Sequence, residues 1–485
     1  MKRVRRSGCL RRPRAEGAYN ESARRTRYPF GEDTVDRTFY RLQGSVFVLL
    51  AALCPSLRAQ DSPELSKQVA ELRAMVDRLQ GRVSELEARL AVTGKPAAPA
   101  PTSPPAQAPE PTSVAGTTIN FLIDGYYGYN FNAPIGRANR LRAYDVSSNS
   151  FSLNQAAVVL ENAPDPQRGK RWGARLDLQW GQATQTLQGN PANESRPEIY
   201  RNIFQAYGTF IVPLGKGLKV DFGKWASSLG IEGNYTQDQM NYSRSYWFNF
   251  LPFYHMGVRT NYQFSDRFGI NYWVTNGAQQ TEAFKGFKDQ MGGVVLQPRK
   301  NINWTVNYYF GQEHPDTLFF LNTPAPVPDP PTQQGVPFLP IEGAPTGRLH
   351  IFDSYLTWNA TPALAFALEG DYVVQRLFKN SPPQHVDGGA LYAQYEFTKK
   401  FALAGRAEYL SDRGALFSGV EQALKETTLT TTYRFADRFM ARAEWRYDFS
   451  NQPFFYTSTL GVLKKSQVTA TLGLIWWYGG KQGAW

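Results

Sequence analysis

The sequence predicts an all-β chain, a closed antiparallel barrel of sixteen strands preceded by a short helical coiled coil. Three observations point there. Segments of ten to fourteen residues alternate apolar and polar side chains; short and long connections between them take strict turns; and no apolar run approaches the ~20 residues that a membrane-crossing helix needs. The longest clean apolar run is Val46 to Leu53.

Taken in order, residues 1–59 read as a presequence. Residues 1–60 hold 13 of the 53 Lys+Arg and 5 of the 41 Asp+Glu, so most of the formal charge of +12 sits there and the remainder is only +4. Arg37 and Arg41, the apolar stretch Val46 to Leu53, and Ser56-Leu57-Arg58-Ala59 form the three regions of an export signal, with cleavage expected after Ala59. Residues 1–34 are too long and Arg-rich for such a signal and are expected to lie upstream of the true start. Both cysteines, Cys9 and Cys54, precede the cut, so the exported chain is expected to rely on hydrogen bonding and packing rather than on disulfides.

Residues 60–93 carry a heptad seam: Leu65, Val69, Leu72, Val76, Leu79, Val83, Leu86 and Leu90 alternate at spacings of four and three. Such a narrow stripe among charged residues predicts a self-associating coiled coil. Residues 94–116 follow with proline at 96, 99, 101, 104, 105, 109 and 111, the composition of a semi-rigid polyproline spacer.

From residue 117 to 485, extended segments are expected near 118–130, 151–162, 171–181, 200–212, 218–225, 254–264, 267–277, 288–297, 301–311, 348–358, 363–376, 386–397, 401–411, 425–435, 438–448 and 466–477. In the fifteenth, RFMARAEWRYDFS, Ala441, Ala443, Trp445 and Tyr447 fall on one face and Arg442, Glu444, Arg446 and Asp448 on the other. Seven short turns interleave with eight long loops. A soluble sandwich has no reason to sort its connections so, whereas an outer-membrane barrel does. The apolar face would meet lipid, the charged face would line a wet bore, and closure would pair every backbone group. Trp180, Trp225, Trp358, Trp476 and Tyr478 are expected in interfacial girdles.

The bore-lining candidates are Arg171, Arg175, Asp177, Lys219, Asp221, Arg259, Arg267, Glu369, Asp371, Arg406, Glu408, Arg434, Arg442, Glu444, Arg446 and Asp448. Mixed signs favour wall-bracing ion pairs over a selectivity ring, while an arginine cluster at 434–446 facing Arg171 would suit an anion path. The long aromatic loop 226–253, with Asn241, Tyr242, Arg244, Tyr246 and Trp247, is the candidate constriction; it either folds into the bore or caps it. The proline-rich loop 312–347 is expected on the surface.

Two rival classes are weaker. An acyl-transfer or lipid-hydrolysing barrel needs a nucleophile beside a histidine, and His255, His314, His350 and His385 show no telling spacing to a serine. A structural anchor would use the coiled coil as a periplasmic tether to peptidoglycan. Metal, nucleotide and nucleic-acid motifs are absent, and no cofactor is expected.

The segments DGYYGYNFN (Asp124 to Asn132), NSFSLNQAAVVLENAP (Asn149 to Pro164), DFGKW (Asp221 to Trp225), Gly230-Ile231-Glu232, NYSRS (Asn241 to Ser245) and LPFYHMGVR (Leu251 to Arg259) resemble the β-barrel porins of the OmpL-like kind. The resemblance implies an outer-membrane channel for passive diffusion of small hydrophilic solutes or ions, without catalytic residues. Its expected partners are outer-membrane lipid, the barrel-insertion machinery and copies of itself, as a homotrimer formed through the coiled coil and the barrel wall.

Overall fold

The computed structural model describes residues 113–114, 116–187, 194, 196–283, 285–314 and 346–479, together with residues 77, 78 and 81, which are helical. The heptad seam Leu65, Val69, Leu72, Val76, Leu79, Val83, Leu86 and Leu90, the presequence, nearly all of the proline-rich spacer and most of loop 312–347 lie outside the described residues.

Sixteen long strands form the barrel: β1 Thr117–Asn130, β2 Ser150–Asn162, β3 Trp172–Trp180, β4 Ile203–Val212, β5 Leu218–Ala226, β6 Tyr254–Ser265, β7 Phe268–Thr275 and β8 Asp289–Arg299, then β9 Ile302–Gly311, β10 Leu349–Asn359, β11 Leu364–Gln375, β12 Gln384–Glu396, β13 Phe401–Asp412, β14 Gln422–Ala436, β15 Phe439–Ser450 and β16 Ser466–Tyr478. Each expected strand is present, its ends displaced by no more than three residues. All neighbours pair antiparallel, and β16 returns to β1, from Thr469↔Asn130 to Tyr478↔Phe121, so the sheet closes without an edge.

Period-two alternation decides what each face meets. On β15, Arg442, Glu444, Arg446 and Asp448 are buried inward while Ala443 and Trp445 are exposed outward. The outer belt includes Phe222, Ile270, Trp304, Phe352, Leu368, Leu391, Leu429 and Leu472, each more than a third exposed, as a lipid-facing surface requires.

Aromatic pairs mark the short turns: Phe264–Phe268, Trp358–Phe366, Phe397–Phe401 and Phe435–Phe439, with ring centroids 5.3–5.5 Å apart. They are the girdle on that rim. Trp180, Trp358 and Trp476 are exposed outward as expected. Trp225 is not: it is fully buried inside and meets Trp273 edge-on at 5.7 Å. The physical reason is parity, because Trp225 lies four residues after the inward Asp221 on the same strand and so shares its face.

Candidate functional site

Among the described residues, the long connection between β5 and β6 enters the bore. Residues 227–253, between β5 and β6, run inside the barrel, with Asn241, Tyr242, Ser243, Arg244, Tyr246 and Trp247 all buried. Of the two dispositions open to this loop, capping and insertion, the structure shows insertion.

Side chains of the wall seize its backbone. Glu444 on β15 accepts the N–H of Tyr242 at 2.7 Å and of Ser243 at 3.0 Å, and Glu408 on β13 accepts the N–H of Tyr246 at 2.8 Å. In return, Arg442 donates to the carbonyls of Thr236 (2.7 Å) and Asn241 (2.9 Å), Arg446 to that of Arg244 (2.6 Å), and Arg406 to that of Ser243 (2.9 Å). A loop placed in a bore leaves backbone groups that need partners, and charged side chains provide the stronger bonds.

The loop's own hydroxyls reach the adjoining arc of the wall, past β16, and β15 itself. Tyr235 donates to Asp177 on β3 at 2.6 Å, while Thr236 and Tyr242 donate to the two carboxylate oxygens of Asp124 on β1 at 2.7 and 2.8 Å. Tyr246 donates to Asp448 at 2.7 Å. Burial beside these carboxylates pushes the Tyr235, Tyr242 and Tyr246 hydroxyls well above their usual range, so they remain donors at any physiological pH.

Local sequence explains the shape. Ser245 caps the one-turn helix Tyr246–Phe250 by accepting from the Phe248 N–H at 2.9 Å, and the turn lays Trp247 against the wall. Gly473 on β16 has no Cβ because the Tyr242 ring occupies that space, while a Cβ on Gly388 of β12 would strike the Tyr409 carbonyl of β13 and crowd Trp247.

A second loop joins the first. Arg142, in the connection after β1, bridges Asp145 at 2.8 Å and Asp448 at 2.7 Å, and Tyr144 donates to Asn234. Burial lifts the Asp145 carboxyl from 3.8 to about 6, against the pull of Arg142 and Arg446.

Most of the expected lining residues converge here or on the adjoining wall. Arg175 pairs with Asp177 at 2.8 Å, Arg259 and Lys219 with Asp221 at 2.6 and 3.4 Å, and Arg406 with Glu426 at 2.8 Å. Glu369 and Asp371 lie buried on β11. Three sit apart: Arg171 precedes β3 and is half-buried, Arg267 is exposed in the β6–β7 turn, and Arg434 pairs with Glu396 at 3.0 Å on the short-turn side. Arg442 and Arg446 are engaged by loop carbonyls and carboxylates, so they do not form an open track facing Arg171.

Sequence reasoning missed Asp353, Glu426 and the apolar inner residues Trp273, Met291, Tyr309, Leu410 and Leu424. Each is in phase with a recognised or polar inward neighbour, such as Glu408 for Leu410, so parity alone could have found them. It also missed a serine–histidine contact, since His255 meets Ser227 Oγ at 3.1 Å. Its other nitrogen faces the Gly277 carbonyl at 3.2 Å rather than a carboxylate, so the third member of a catalytic relay is absent at that nitrogen.

A family model described as "Putative beta-barrel porin-2, OmpL-like" matches residues 116–476. Among solved structures, an anion-selective porin from Comamonas acidovorans aligns with a TM-score of 0.47 at 8% identity, over 75% of this chain and 99% of that one. Outer-membrane expressed OmpT of Vibrio cholerae gives 0.46 at 11%, over 76% and 100%, and OprB of Pseudomonas putida gives 0.45 at 13%, over 75% and 94%. No curated protein matches the chain.

Proposed function

The chain belongs to the OmpL-like family of outer-membrane β-barrel porins, channels for passive diffusion of small hydrophilic solutes, and on that premise we propose that residues 227–253 are the constriction that sets what passes. The observation that carries this reading is the double fastening of the loop, to β13–β15 through Glu408, Glu444, Arg406, Arg442 and Arg446, and to β1 and β3 through Asp124 and Asp177. The same loop is also held at β10–β11, where Asp353 and Glu369 accept the Gly230 and Ile231 N–H groups, half-way round the ring from Asp177 on β3; a segment tied at both places narrows the passage at its own level and cannot swing aside without breaking charged bonds.

Carboxylates and arginines around it are interleaved, which favours passage of small polar solutes of either sign over strong selection. The exported chain is read as a homotrimer, joined through the barrel wall and through the heptad seam on the periplasmic side, with residues 94–116 as spacer between seam and barrel.

Single-channel recording across a planar bilayer in a salt gradient tests the reading. Stepwise currents with a reversal potential near zero are expected. Absence of steps would make the barrel an anchor, and a large reversal potential would contradict an interleaved lining.

A further inference from the structure

We propose that Asp353, Glu369 and Asp371 form a binding site for a divalent, oxygen-seeking cation, calcium or magnesium, in the inner wall at the root of the constriction loop. Asp353 on β10 lies directly opposite Asp371 on β11, with Glu369 two residues earlier on the same face. One carboxylate oxygen from each can be chosen so that all three lie within 4.8 Å of one another, and all three residues are buried. The donor set is purely oxygen, with no histidine or cysteine, which suits hard cations rather than zinc.

Proximity of acids alone would not make a site. What distinguishes this one is the state of Asp371: the residue is only 5% exposed, and neither of its buried carboxylate oxygens receives a hydrogen bond from a donor group. Its neighbours are held. Asp353 accepts from the Gly230 N–H at 3.1 Å and from the Asn307 amide at 2.8 Å; Glu369 accepts from the Ile231 N–H at 3.2 Å and the Tyr392 hydroxyl at 3.3 Å. Asn307 also keeps its own buried side-chain oxygen without a donor.

Elsewhere in the bore, buried acids have a cation or a full set of donors. Asp177 has Arg175, Asp221 has Arg259, Glu426 has Arg406, and Asp448 has Arg142 and Arg446. Asp124 has no ion pair but accepts from Asn154, Thr236 and Tyr242. Among the described residues, no lysine or arginine pairs with Asp353, Glu369 or Asp371. Three buried acids this close, with no counter-charge, must hold protons between them or bind positive charge, and a cation touching all three supplies that charge from outside the chain. Because Gly230 and Ile231 hang from two of the three, an ion there would stiffen the place where the loop leaves the wall.

The test is calorimetric titration of calcium, and separately magnesium, into chelator-stripped, refolded full-length protein in detergent, with circular dichroism to certify the barrel. Binding is read without conduction, so failure here leaves the channel reading intact. One saturable site per chain is expected, weakened at least tenfold in Asp371→Asn and in Glu369→Gln. Absence of saturable binding to the wild type, or unchanged affinity in either folded variant, overturns the site. Should neither variant fold, equilibrium dialysis of the wild type decides: about one ion per barrel supports it and none refutes it.

Discussion

On β13–β15 the buried carboxylates Glu408, Glu426 and Asp448 each have an arginine within 4.0 Å, whereas on β10–β11 Asp353, Glu369 and Asp371 have none. Both arcs face the same bore and both hold the same loop. At the first, arginines and carboxylates interlock with the loop backbone, donor against acceptor. At the second, two backbone N–H groups carry the contact. The difference teaches that burying acid on an inner wall has two solutions, internal counter-charge or positive charge supplied from elsewhere, and that these two of the loop's attachments should respond oppositely to mutation.

The largest effect is expected from Arg406→Ala, which leaves Glu232 without its cation and Glu426 and Glu408 with Arg446 alone, at 3.8 and 3.7 Å. Removing one partner of a buried ion pair costs about 3–5 kcal/mol, so the folding midpoint in urea should fall steeply. An unchanged midpoint would erase the contrast between the arcs.

Next comes Glu444→Ala, which deprives the Tyr242 and Ser243 N–H groups of a charged acceptor. Charge-assisted bonds of this kind are worth about 2 kcal/mol, so these two amides should exchange with deuterium ~30-fold faster while the strand amides keep their protection.

Asp371→Asn, on the other arc, should act with the opposite sign. In chelator it replaces a buried acid that has no counter-charge by a neutral amide, and stability is expected to hold or rise by about 1 kcal/mol. A loss as large as that of Arg406→Ala would show the two arcs to be alike.

The smallest effect is the pH response of the segment around Asp145, which faces Arg142, Arg446, Glu444 and Asp448. Burial raises this carboxyl from 3.8 to about 6. The protonated form is therefore favoured in the docked state: its contribution is complete below pH 3.8 and is lost as pH rises through about 6. Channel current should be quieter at pH 4.5 than at pH 7.5, and Asp145→Asn should flatten the difference.

The barrel was legible because alternation and loop length are properties of the chain itself. Strand β15 announces both of its faces in twelve residues, and the β6–β7 turn at Asp266 is short because the strands it joins are adjacent. The candidate site was legible only in part. Arg442, Glu444 and Arg446 were placed inward by parity, but their partners are loop carbonyls and amides some 200 positions away, and no spacing along the chain encodes those meetings. The carboxylate trio was hidden for the same reason, since Asp353 meets Asp371 only through strand register. Trp225 shows that parity outranks residue type: an aromatic near a strand end reads as girdle, yet the face it shares with Asp221 sends it inside.

The central claim, that residues 227–253 narrow the bore, is tested most directly by deleting residues 234–245 and recording single-channel conductance. At least a threefold increase is expected once the segment no longer spans the opening. Conductance equal to that of the intact chain, in a barrel shown by circular dichroism to be folded, would contradict the account.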